Sequence, residues 1–219
     1  MHAHTEAGLK AGGMWLAIGA LVFTVGLVLH PMEETMDAVA DAATIWRASH
    51  WFIAAGSLLL VAGAWCVLAA GSRLSSTWVR MTAWTAFAAS LLVFIAVPLI
   101  EATVATDAAV AGDTATWDSW NSLATGVVNV MFVFSASVIV LAWIDMKSSN
   151  WITPKWASTL GMVGAFGGML SMALPWFGVT TLGWLFFGVI VAMLWVAWFG
   201  VGVMRPAGMH KLEPMHATA

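Results

Sequence analysis

The sequence predicts an all-α, polytopic membrane protein: a six-transmembrane-helix bundle with both termini cytoplasmic and a short surface helix in the first outer loop. Three observations carry that expectation. Of 219 residues, 61% are hydrophobic and only 9% are charged, where soluble domains carry about a quarter. Apolar runs near the spanning length of about 20 residues recur at 12–29, 50–70, 79–100, 122–144, 156–176 and 182–204. Finally, Lys10, Arg73, Arg80, Lys147, Lys155, Arg205 and Lys211 all flank alternate ends of those runs, leaving Arg47 alone on the other side. The positive-inside rule then puts both termini in the cytoplasm, in a multi-pass protein of the inner, cytoplasmic membrane.

The first run follows MHAHTEAGLK, whose single lysine and lack of a small-residue cleavage site predict a retained helix. Gly12, Gly19 and Gly26 repeat every seven residues along it, a stripe that lets another helix backbone come close. The connection from His30 to His50, HPMEETMDAVADAATIWRASH, has Met32, Met36, Val39, Ala43 and Trp46 at three- and four-residue spacing. That spacing predicts an amphipathic surface helix with Pro31 as its first residue and Glu33 and Glu34 as first-turn acids favoured by the helix dipole.

Gly71 marks the end of the second span, and Ser75 or Ser76 is placed to cap the third. Pro98 predicts a kink near the end of the third span, with a carbonyl freed at that depth. A long outer loop is expected over 101–121, and Asn121, Thr125 and Asn129 form a polar stripe on the fourth span. Thr153-Pro154 reads as an N-cap followed by a first-position proline. On the fifth span Ser158, Gly161, Gly164 and Gly168 form a second packing stripe. The turn PWFGVTTLG leads to a last span with Trp184, Phe186, Phe187, Trp195, Trp198 and Phe199 on several faces, expected in lipid or core. The whole reads as a single integral membrane domain. A shift of 71 residues lays Glu101 on His30, Trp117 on Trp46, Asp118 on Arg47 and Asn121 on His50, so the hairpins 12–70 and 79–144 are candidates for a parallel repeat.

Several function classes are set aside. A net charge of −3 without a basic patch excludes nucleic-acid binding. One cysteine, Cys66, excludes an internal disulfide. No P-loop, dinucleotide fingerprint, GxSxG elbow or HExxH is present, which argues against a hydrolase or ATPase acting alone and leaves enzymatic activity open.

Four polar side chains, His30, His50, Glu101 and Asn121, fall at the outer ends of the first four spans, where ionisable groups usually face an interior or an aqueous cavity. Three chemistries fit them. His30 and His50 suit the axial positions of a b-type haem, with Arg47 pairing a propionate. The same histidines with Glu101 and Asn121, joined by Glu33 or Glu34, suit a transition metal such as copper, zinc or iron, and Met32 and Met36 would favour copper. Alternatively the group lines an outward pocket for a quinone, a small solute or a proton. The corresponding functions are a subunit for electron transfer or a larger redox complex, a small proton- or ion-coupled transporter, and a structural accessory subunit without cofactor. Expected partners are the lipid bilayer and other membrane subunits or copies of the same chain, since almost no mass lies outside the membrane. A second His and Met group, Met1, His2 and His4 with Met209, His210, Met215 and His216, is a weaker metal candidate at the two termini.

Overall fold

The computed structural model describes residues 2–149, 151–179, 181 and 183–205. All regular structure among them is helical, and six helical segments are long and apolar enough to cross a membrane. The proposed terminal His and Met group lies outside the described side chains.

The first span is α1 (His2–Leu29) and the second is α3 (Ala43–Ala69), with the short α2 (Met36–Asp41) between them. The third span combines α4 (Trp78–Phe94), α5 (Ala96–Ile100), a π-helical turn (Glu101–Ala105) and α6 (Thr106–Ala111). The fourth joins α7 (Thr114–Val128) to α8 (Met131–Lys147), the fifth is α9 (Lys155–Ala173), and the sixth is α10 (Phe187–Met204).

Each span packs against its neighbours in sequence, and α10 returns to α1, so the six form a closed ring. Phe23, Phe87, Phe134, Leu60, Val138 and Met193 fill the middle, each almost fully buried. The predicted glycine stripe is the seam between α1 and α3: a Cβ on Gly26 would lie 2.7 Å from the Ser49 carbonyl oxygen, and one on Gly56 only 2.5 Å from the Phe23 nitrogen. Only a missing side chain lets two backbones approach so closely. On α9, Gly161 meets Trp195 and Gly164 meets the backbone of Gly188, as the small-residue stripe predicts.

Several boundaries differ from those the sequence predicts. Pro31 starts no helix. Thr35 is the N-cap of α2, accepting a hydrogen bond from the Ala38 N–H, so Asp37 rather than Glu33 or Glu34 occupies the first turn. The second span begins at Ala43, which places His50 two turns inside it. Thr77, not Ser75 or Ser76, caps α4. The expected outer loop over 101–121 is almost entirely helical: α6 ends on Gly112 at φ 69°, and Asp113 at once caps α7 through the Thr116 N–H. A left-handed glycine followed by an acidic N-cap is enough to reverse a helix in two residues. Gly71, at φ 56°, ends the second span as expected.

Candidate functional site

The third span is irregular around Pro98 and Glu101. Proline has no N–H to donate one turn back and its ring crowds that turn, and the helix breaks at Ile95, three residues before Pro98. The π turn then begins at Glu101, and the Thr106 hydroxyl donates to the Glu101 carbonyl. The wide turn is thereby stitched from within. Turns of this kind recur at functional sites because one extra residue re-aims the side chains around it.

Beside this turn is a cavity of about 180 Å³ to which all six spans contribute. Phe23, Leu27, Ile53, Phe94, Val97, Met131, Met172, Phe186 and Val189 supply apolar wall, and His30, Glu34, Trp46, His50, Glu101, Trp117 and Asn121 supply polar groups. The four residues singled out by topology therefore line one space. His50 and Glu101 are buried, at 4% and 7% exposure, while Glu34 is exposed.

Local hydrogen bonds fix both imidazoles. His30 Nδ1 lies 2.7 Å from the Pro31 carbonyl oxygen, and His50 Nδ1 lies 2.8 Å from the Trp46 carbonyl oxygen. A carbonyl only accepts, so Nδ1 carries the hydrogen in each ring, and in the neutral form of each ring Nε2 is an acceptor. His30, Trp46 and His50 form a contiguous aromatic group, with ring centroids 4.6 to 4.8 Å apart.

The acid is arranged differently. Glu101 Oε2 and Trp46 Nε1 are buried polar atoms without a hydrogen-bond partner. Their side chains are nevertheless close enough to act on one another. The two are a donor and an acceptor, so the Trp46 N–H is the neighbouring group that answers the Glu101 carboxylate, without full hydrogen-bond geometry. Among the described residues no lysine or arginine lines the cavity.

Two candidate residues are elsewhere. Arg47 points away and pairs with Asp107 on α6, at 2.6 Å between Nη2 and Oδ1. Asn129 does not join the polar stripe into the cavity: its amide donates back to the carbonyls of Thr125 and Gly126. Thr125 does line the wall. Sequence reasoning missed Trp46 and Trp117 as cavity residues, although the 71-residue shift pairs them. They are buried together with Val39, Ala105, Ala108 and Ala109 in a small cluster outside the main core.

A haem held between His30 and His50 does not fit. The two rings meet edge to face at 4.8 Å between centroids, with no space for a macrocycle between them, and Arg47 is committed to Asp107. For a metal ion the donor chemistry is suitable, with two accepting Nε2 atoms and a carboxylate. Among the described residues, however, no three His, Cys, Asp or Glu side chains converge closely enough to hold one.

Fold and site together define a multi-pass helical membrane protein with an acceptor-rich chamber at one end of its ring. Comparison with family models, with curated proteins and with solved structures finds no match for this chain.

Proposed function

We propose that the protein is a small proton-coupled membrane carrier in the inner membrane, with its chamber open to the outer side. The charge distribution supports that orientation: Lys10, Arg73, Arg80, Lys147, Lys155 and Arg205 lie toward the end away from the chamber. A single observation carries the function. Glu101 is buried at the wall of a closed ring of spans, with one carboxylate oxygen unpaired. A charged carboxylate at that depth needs a positive partner, either a proton or a cation, and replacing one by the other is the elementary step of coupled exchange. The proton leaves Glu101 as the cation arrives, and it returns when the cation departs.

The second reading is a transition-metal site, favoured by the two imidazoles whose Nδ1 atoms are anchored on carbonyls, as the outer hydrogen bonds of metal-ligating histidines commonly are. In that reading His30, His50 and Glu101 would hold the ion after a side-chain movement, with Asn121 beside them. The test is proton flux in reconstituted vesicles containing a pH-sensitive dye, alongside elemental analysis of the purified protein. Cation-driven proton flux in the wild type that is lost in Glu101→Gln supports the carrier. Flux that is unchanged in Glu101→Gln, or absent from the wild type, overturns it, and one metal ion per chain would turn the assignment to the second reading.

A further inference from the structure

We infer that the cation admitted to the chamber is a small organic ammonium, a protonated primary amine. The inference rests on the carrier reading for its direction of movement, but its chemistry is carried by the chamber itself. Its only charged lining residues among those described are acids, Glu34 at the exposed mouth and Glu101 in the buried wall. With their Nδ1 hydrogens on backbone carbonyls, His30 and His50 each offer an Nε2 lone pair in the neutral form of the ring. An ammonium group has three N–H donors and no acceptor, which suits a wall that offers a carboxylate and two imidazole lone pairs.

The rest of the chamber suits the remainder of such a molecule. Trp46 and Trp117 contribute ring surface, and the π face of tryptophan is the strongest aromatic partner for a cation. The other walls are largely aliphatic and phenyl, where the alkyl part of an amine loses water favourably. A space of about 180 Å³ is far larger than a bare ion and smaller than a typical drug-sized pocket of about 300 Å³ or more. The surroundings attract the same charge. Glu33, Glu34, Asp37, Asp41, Glu101, Asp107, Asp113 and Asp118 all lie toward this end, against Arg47 alone, and Arg47 is paired. Such a field concentrates cations at the mouth. An unpaired buried carboxylate oxygen, aromatic rings and apolar walls together select for an ammonium carried on a short hydrocarbon.

The experiment compares three ligands of one shape, n-butylammonium, n-butanol and n-butyrate, by calorimetric titration and thermal unfolding of the full-length protein in detergent. Only n-butylammonium is expected to bind and to raise the unfolding temperature. Glu101→Gln, verified as folded by its own unfolding transition, should weaken that binding at least tenfold. Glu34→Gln, an exposed change with little effect on folding, should weaken it a few-fold and reduce its salt dependence. Equal binding of the alcohol and the ammonium, absence of ammonium binding, or wild-type affinity in Glu101→Gln would overturn the inference, whatever the vesicles show. Ammonium binding of the expected pattern without proton movement in vesicles would leave the inference standing and remove the carrier reading.

Discussion

Among the described residues the bundle holds two buried carboxylates, one toward each end, and they are treated in opposite ways. Asp145, near the end of α8, is 5% exposed and receives four hydrogen bonds: the Ile152 N–H at 2.7 Å, the Thr153 N–H at 3.0 Å, the Thr153 hydroxyl at 2.7 Å and the Ser158 hydroxyl at 3.2 Å. Trp195 Nε1 donates to the same Thr153 hydroxyl at 3.1 Å and ties α10 into the group. Glu101 is 7% exposed, yet its Oε2 has no hydrogen-bond partner. Burial alone therefore does not separate a structural acid from a functional one. The donors differ: Asp145 is consumed by the loop it folds, whereas Glu101 keeps free acceptor capacity, the feature on which the proposed exchange rests.

The contrast is sharpest in stability. Asp145→Ala strands the two backbone N–H groups of Ile152 and Thr153, at about 1–3 kcal/mol for each buried group left unpaired, while the Thr153 and Ser158 hydroxyls keep each other at 2.8 Å. Thermal unfolding in detergent should show a larger loss for Asp145→Ala than for a substitution at Glu101, Arg47 or Asp113, about 3 kcal/mol or more. Glu101→Gln keeps the size of a side chain whose Oε2 is unpaired, so its unfolding should stay within about 1 kcal/mol of wild type, the range of an ordinary hydrogen bond. If the two variants lost equal stability, the distinction between the two acids would collapse. Arg47→Gln breaks an ion pair whose side chains are 40% and 68% exposed, so about 0–1 kcal/mol should be lost and ammonium binding should be little changed.

A third carboxylate gives the smallest effect and a pH signature. The Thr116 hydroxyl, helped by the Thr116 N–H, holds the Asp113 carboxyl below the usual carboxylate range. A group shifted in this direction stabilises the fold above its unfolded-state pKa, and that contribution disappears as pH falls through its folded-state pKa. Asp113→Asn keeps a capping oxygen but does not titrate. The acid side of the stability profile should thus be slightly flatter in Asp113→Asn than in wild type, as followed by thermal unfolding at a series of acidic pH values.

Much of this arrangement is legible in the sequence, and the exceptions have physical causes. Hydropathy locates six spans because a helix in lipid must be apolar over its whole crossing, and seven-residue glycine spacing finds the α1 and α3 seam because the repeat is close to two helical turns. Topology brings His30, His50, Glu101 and Asn121 to one end without knowledge of helix rotation. Hydropathy misses the helix across 101–121, whose threonines and aspartates read as loop, although Gly112-Asp113 is a readable reversal signal. Asp145 leaves no sequence pattern to read. Its partners include two backbone N–H groups of the following loop, and Thr153, expected as a helix cap, turns its hydroxyl to the acid.

The closed ring also sets an order of manufacture. Since α1 to α9 meet mainly neighbours in sequence, each hairpin has contacts ready as soon as it leaves the ribosome, and chains with such local contacts assemble early. The seam between α1 and α10 is the exception, joining the first and sixth spans where a Cβ on Gly13 would stand 2.5 Å from the Gly200 carbonyl oxygen. Met172, Phe186 and Val189, which wall the chamber, arrive with that same last hairpin. A chain truncated before the fifth span would carry Glu101 and both histidines with the wall beside them missing. Closure of the chamber thus waits for the fifth and sixth spans.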